Sequence, residues 1–535
     1  MAKHHLPLLF SFFASTYAYT WPSPQLDALE GARWEQPLHF FLRPCNAFDF
    51  DPNGAAAGRA SGRSNAADWI RTAYHDMATF NKNDKTGGLD GSIRFAEEQA
   101  RAENIGDGFA NTLSKIVPFS NRYVSVADII ALGAVIAFET CGGPEITFRG
   151  GRVDATEPNT AGVPKPDQEL DSHIASFEKQ GFTKEEMIGL VACGHSFGGV
   201  QHASFPDIVP ELNDPENTQS SAHFDTTPVN FDNKIATEYM SGTTLNPLVV
   251  GHNDTTNSDK RIFGSDGNVT MRGFADSPEA FASTCATLIA RMIDTVPAGV
   301  KLTEVFTPLP VKPTSLDLIL VGDKIQFSGQ VRIWNATRNT SPQVRLLWAD
   351  HTGSKTNNAT LPFNNAGDSS NERNSWVVFK FGTNSPFQFI TLDAAAGITN
   401  MRFAVNDKIE DQGGLGFPVL DDIFFSSTSC YTGDHENPSG GRFDIAVRNG
   451  ANPTRVYLEK EIRDATGRTT IQEIDVSPPT TSSPSGSPAF SIWSYNPGND
   501  TSDLSAVFTI GAEVNGVKAT RSSIQRAVTQ FTACA

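Results

Sequence analysis

Residues 69–77 read WIRTAYHDM, and the spacing inside that stretch decides how the first half of the chain folds. Its apolar residues recur three to four apart, the period of a helix with one buried face. Arg71 and His75 stand four residues apart on that helix, so both side chains project from one side into the same space. The period continues outward through SIRFAEEQARAEN (92–104), VADIIALGAVIAFET (126–140), KEEMIGLVACGHSF (184–197) and EAFASTCATLIARMIDT (279–295). Gly- and Pro-bearing loops separate these runs, so residues 65–300 read as mostly helical. Polar groups interrupt the apolar pattern at His75, His195 and Asp266, and function usually disturbs folding rules at such points.

Past the segment FTPLPVKPTS (306–315) the pattern changes to alternation. DKIQFSGQVRIW places Ile325, Phe327, Val331 and Ile333 on one face, and later runs such as SWVVFKFG and SAVFTIG behave alike, so this half reads as a β-sandwich. At 535 residues the chain exceeds what one hydrophobic core usually serves. The division expected is a signal peptide at 1–18, a helical domain at 19–300, a linker at 301–316 and a β-rich domain at 317–535. The first segment combines Lys3, the apolar run LPLLFSFF and small residues at Thr16 and Ala18, the layout of a cleavable secretory signal, which predicts an extracellular protein.

A net charge of −18 disfavours nucleic acid and anionic membrane surfaces as partners and leaves a small neutral or phenolic molecule as the better fit. No later stretch is long and apolar enough to span a bilayer. Six cysteines in an oxidising compartment allow up to three disulfides, with Cys430–Cys534 expected to close the second domain. Asn-x-Ser/Thr triplets begin at Asn253, Asn268, Asn335, Asn339, Asn358 and Asn499 and fit a secreted glycoprotein. The segment SPPTTSSPSGSP (477–488) reads as an exposed loop or flexible linker.

The helix bearing Arg71, Tyr74, His75 and Asp76 resembles the distal helix of the plant and fungal haem peroxidase superfamily. The resemblance extends over residues 60–280 through GGLDGS, EEQARAEN, VADIIALGA, GGRVDA, VPKP, CGHSFGG, FDTTPVNFD and GSDG, in the family's order. It implies a mainly α-helical haem peroxidase domain of the secreted ascomycete type, with haem b and two calcium ions. Hydrogen peroxide and a small electron donor would be its substrates, oxidised donors leaving in one-electron steps. By the resemblance, His75 is the acid-base group, Arg71 stabilises charge as the O–O bond breaks, and Asn104 accepts the other N–H of His75, with Glu98 behind it. His195 is the iron ligand and Asp266 the carboxylate accepting its remaining N–H; Gln201 meets a haem propionate, and Tyr74 packs on the distal side. The distal calcium set is Asp76, the Gly88 carbonyl, Asp90 and Ser92; the proximal set is Ser196, Asp225, Thr227, the Asn230 carbonyl and Asp232.

The chain also departs from the family. Tyr74 stands where Phe or Trp is usual, which argues against strong catalase activity. Ser64, Asp68 and Gly198 occupy the positions of the manganese ligands, so a manganese site is not expected, and Leu190 replaces the surface Trp of lignin-oxidising members. The modest expectation is a phenolic donor at the haem edge near Pro164. Cys45 and Cys141 are expected to form one of the few bridges of this domain. Arg152 and Asp154 read as a structural salt-bridge network. The competing reading is a cell-wall or polysaccharide-binding protein with a degenerate helical scaffold. The C-terminal half lacks the eight-cysteine pattern of a wall-binding module, and Trp334, Trp348, Trp376 and Trp493 read as sandwich core.

Overall fold

The structure is a computed structural model that describes residues 23–35, 44–45, 61–340, 342–361, 366–370, 374–382, 389–479, 487–498, 501–521 and 524–534. The expected signal peptide at 1–18, Asn499 and most of the Pro/Ser/Thr segment lie outside the described residues. Two compact units emerge: Pro24–Pro308 with Arg463–Thr470, and Leu309–Ile462 with Ile471–Ala535.

The first unit is helical. Helices α1 (Asn65–Met77), α2 (Gly108–Ile116), α3 (Val126–Thr140), α4 (Leu170–Gln180) and α5 (Lys184–Gly194) lead to α6 (Lys234–Ser241), α7 (Ser258–Phe263), α8 (Val269–Asp276) and α9 (Pro278–Ile293). Helix α3 is apolar all round and buried from Val126 to Phe138, so it serves as the axis on which the others pack. Asp154 accepts the first-turn N–H groups of Val126 and Ala127, while Arg152 pairs with the buried Asp128 at 3.0 Å. These two residues of GGRVDA are therefore structural, as their sequence context indicates. Helix α1 starts where Ser64 accepts the N–H of Ala67, an N-cap that fixes its first turn. Disulfides join Cys45 to Cys141 and Cys193 to Cys285, the second tying α5 to α9. Each closes a loop long enough that its contribution is about 4.6 kcal/mol in the chain-entropy account.

The second unit is built of strands around two cores. After the two-stranded ribbon β1 (Gly199–Gln201) and β2 (Ser221–His223) of the first unit, strands β3 (Val311–Val321) and β4 (Lys324–Trp334) pair antiparallel in the middle of a sheet of ten strands among the described residues. Ile325, Phe327, Val331 and Ile333 all enter one core, as the alternation requires. Gly329 keeps that face flat, because a Cβ there would come within 3.0 Å of Leu316 and Phe381 side-chain atoms. Strand Ile423–Ser426 is buried on both sides: Phe424 faces one core, Ile423 and Phe425 the other. The central sheet is thus covered twice, by the sheet containing Val344–Ala349 and by the sheet containing Arg455–Arg463. Three layers replace the two of a simple sandwich. Strand β3 also begins inside the expected linker at 301–316. Pro313 pairs in register with Val331 of β4, and the register between the two strands shifts just beyond it, between Thr314 and Asp317. The Cys430–Cys534 disulfide closes this unit as expected.

Candidate active site

One cavity of about 520 Å³ opens in the helical unit, and both His75 and His195 line it. That volume lies in the range of cofactor pockets. Arg71 and Tyr74 accompany His75, Phe224 and Asp259 accompany His195, and Val163, Pro164 and Gln201 also line the cavity.

Helix α1 delivers Arg71, Tyr74 and His75. The His75 ring is buried, and its Nδ1 lies 2.7 Å from Asn104 Oδ1. The amide of Asn104 is oriented by its own donor, since Nδ2 gives a 2.7 Å bond to the Glu98 carbonyl. Its oxygen must therefore face His75, which places the imidazole proton on Nδ1 and leaves Nε2 as a base. The backbone of Glu98 supplies this support; its carboxylate instead accepts the N–H of Asn159. Burial first, and then the Arg71 cation, hold the His75 pKa well below the ordinary histidine value against the Asn104 bond. The Arg71 guanidinium rests 4.4 Å over the Phe109 ring and donates to the Ile105 carbonyl at 3.0 Å. Burial lowers its pKa to about 10, so it stays cationic at neutral pH. Tyr74 stacks on Phe177, and burial pushes its hydroxyl well above the usual tyrosine range.

Opposite them, His195 caps the C-terminus of α5 and stacks on Phe224 with centroids 4.1 Å apart and planes 11° from parallel. Its Nδ1 meets Asp259 Oδ2 at 2.8 Å. This corrects the sequence assignment of Asp266. That carboxylate accepts the N–H groups of Val269 and Thr270, at 3.0 and 2.9 Å, and the Thr270 hydroxyl at 2.6 Å, so it caps α8 and is absent from the cavity wall. Asp259, in the first turn of α7, is buried, and Asn246 Nδ2 donates to the same Oδ2 at 2.9 Å. Sequence reasoning missed Asp259, Phe224 and Asn246. The dipeptide Ser258-Asp259 opening an apolar helix after the run PLVVGH was the available signal for the first.

Part of each expected calcium set is brought together: Asp76, Asp90 and Ser92 on the distal side, and Asp225, Thr227 and Asp232 on the proximal side. On the distal side, Asp76 accepts from Gly91 and Ile93 N–H groups at 2.7 and 2.8 Å, ordering the loop that carries Gly88, Asp90 and Ser92. Asn159 Nδ2 contacts both Asp90 oxygens and Ser92 Oγ. Burial raises the Asp76 and Asp90 pKa values, and each of Asp76 and Glu98 lies within the field of Asp90. On the proximal side, Thr227 Oγ1 bridges Asp225 and Asp232, and burial, with Asp232 and Glu238 nearby, pushes the Asp225 pKa up to about 7. Asp225 Oδ2 is buried without a hydrogen-bond partner. Ser196 instead donates to the Cys193 carbonyl, and nothing in its contacts or those of Asn230 involves a carboxylate. Among the described residues, no group of three or more His, Cys, Asp or Glu side chains is arranged to hold a metal ion. Asp68, at one manganese position of the family, is committed to Arg63 at 2.9 Å and Asn111 at 3.1 Å.

The family model described as Peroxidase matches residues 55–277. A WSC domain-containing protein of Arthroderma benhamiae is 38% identical over 346 residues, 62% of this chain and 46% of that protein. Peroxisomal L-ascorbate peroxidase 5 of Arabidopsis thaliana is 32% identical over 185 residues, 34% of this chain and 61% of that protein. Mitochondrial cytochrome c peroxidase of Yarrowia lipolytica is 35% identical over 137 residues, 24% of this chain and 39% of that protein. The matched region thus spans about half the length of these relatives.

Proposed function

Residues 55–277 belong to the peroxidase family, and on that premise we propose that the chain is an extracellular haem peroxidase that reduces hydrogen peroxide while oxidising small phenolic donors in one-electron steps. The observation that carries this reading is the pairing of His75 and His195 on one cavity, each with Nδ1 engaged by an outer partner and Nε2 left free. A haem bound in this cavity would be held by His195 through Nε2, with Phe224 stacked on that imidazole and Gln201, also on the cavity wall, available to a propionate. When bound, the haem supplies an iron that takes up peroxide and stores oxidising equivalents.

The protein's own residues do the rest. His75 Nε2 accepts the proton from the inner oxygen of hydrogen peroxide and returns it to the outer oxygen, which leaves as water. The Arg71 cation stabilises negative charge on the departing oxygen. Asp259 draws on the N–H of His195 and makes its Nε2 more electron-rich, which favours the oxidised states of a bound iron. Donors approach at the rim near Pro164. The test is to add hydrogen peroxide to the haem-loaded chain with a phenol present: a spectral change that decays as the phenol is consumed supports the proposal, and no change refutes it.

The pH profile follows from the His75 environment. Because its pKa is held down, the basic form persists on acidification, so the rate of peroxide reaction should stay flat from neutral pH to well below 6.5 and fall only beyond. Arg71→Leu removes one of the lowering influences, and the acid limb should move upward in stopped-flow measurements.

Two calcium ions complete the proposal, held by the Asp76, Gly88, Asp90 and Ser92 set and by the Ser196, Asp225, Thr227, Asn230 and Asp232 set. The unpartnered Asp225 oxygen and the desolvated carboxylates of the distal loop support them. Calcium at a hundred times its dissociation constant should stabilise the helical unit by about 2.7 kcal/mol per site. Identical melting curves in calcium and in chelator would count against both sites. The same reading places the protein outside the cell, with glycans on its Asn-x-Ser/Thr triplets; Asn335, Asn339 and Asn358 are exposed.

A polysaccharide-binding role for the strand-rich unit is the second reading. The match to the WSC domain-containing protein is longer than everything preceding residue 309, so it runs into this unit. Against a sugar platform, Trp334, Trp348, Trp376 and Trp493 are all buried or half-buried, and the first and third stack on each other. Sedimentation with insoluble cell-wall polysaccharide tests it.

A further inference from the structure

The carboxylate behind His195 receives two donors on one oxygen. Asp259 Oδ2 accepts from His195 Nδ1 at 2.8 Å and from Asn246 Nδ2 at 2.9 Å, while Oδ1 is buried without a partner. Asn246 is completely buried at 0% exposure, and its amide has one permitted orientation. Its Oδ1 accepts the N–H of Leu248 at 2.8 Å, and its own N–H is anchored on Thr244 Oγ1 at 3.1 Å. Turning the amide over would set its oxygen against a carboxylate oxygen and leave the Leu248 N–H facing an NH₂ group.

We propose that Asn246 is a positioning residue that sets how strongly Asp259 draws on the N–H of His195, and so how electron-rich His195 Nε2 is toward a bound iron. The inference rests on the reading of His195 as the axial ligand. A hydrogen bond to a carboxylate spreads its charge, and an oxygen shared between two donors is the weaker acceptor for each. Asn246 therefore tempers the imidazole: it holds the carboxylate with Oδ2 aimed at Nδ1, yet takes part of the charge that would otherwise enrich the ring. Phe224, stacked on the imidazole, carries no ring N–H to offer Oδ1, which has no hydrogen-bond partner among the described residues. The whole adjustment therefore falls on Oδ2.

The test uses the full chain loaded with haem and compares Asn246→Leu, similar in volume but without a donor, with the unaltered protein. The midpoint potential of the ferric/ferrous couple is read by spectroelectrochemistry, and the iron–histidine stretch of the ferrous form by resonance Raman. Losing the second donor should move the equilibrium about tenfold toward the ferric form, about 59 mV for a one-electron couple, and raise the stretching frequency. Asn246→Ala, a smaller lesion, should shift both in the same direction and serves if the leucine variant does not fold. An unchanged potential and stretch, or a shift toward the ferrous form, overturns the proposal. An unaltered chain that takes up no haem removes the functional reading and this inference together, whereas haem uptake with indifferent variants removes only the role of Asn246.

Discussion

His75→Leu is expected to slow the reaction with hydrogen peroxide by about 10²–10⁴-fold while leaving haem uptake intact, because positioned proton transfer contributes on that scale. Leucine preserves the bulk against Phe109, whose ring lies 4.9 Å from the imidazole, so the cavity wall should survive. What disappears is the Nε2 base that the Asn104 bond creates. Asn104→Val should therefore give a smaller loss of the same kind, since the ring remains but its tautomer is no longer fixed. Stopped-flow traces with peroxide in pseudo-first-order excess read both effects, and an unchanged second-order rate in His75→Leu would remove the acid-base assignment.

The second large effect is expected at Asp259. Partners that orient a metal-binding histidine typically account for 10–100-fold in metal affinity or activity. Asp259→Asn should weaken haem retention or peroxide turnover by about that factor and move the midpoint potential toward the ferrous state. Asp266→Ala serves as the control: its carboxylate caps α8, so the change should cost about 1 kcal/mol of stability and leave the cofactor's spectrum alone. Equal effects at the two positions would contradict the observed geometry.

Much of this site was legible in the sequence because its distal half is local. Arg71, Tyr74, His75 and Asp76 share one helix whose period fixes their common face, and Asn104 follows 29 residues after His75, in the short turn Ala102–Asn104 that closes the run SIRFAEEQARAEN. The proximal half is tertiary. Asp259 reaches His195 across 64 residues of chain, and no periodicity marks such a contact. The string GSDG offered a carboxylate in the right neighbourhood, but a Ser-Asp-Gly turn before a helix is cap chemistry, and that is the work Asp266 does. The same division holds in the second unit. Alternation identified the faces of β4, whereas the third layer shows itself only in a strand such as Ile423–Ser426, where a short fully apolar run is equally compatible with burial on one side or two.

Haem titration of the purified full chain, alongside His195→Ala, addresses the central claim most directly. The account predicts one haem bound per chain, a Soret band that shifts when peroxide is added, and loss of the histidine-coordinated spectrum in the variant. A chain that stays colourless under full haem supply, or a variant that keeps the same axial nitrogen, would contradict it.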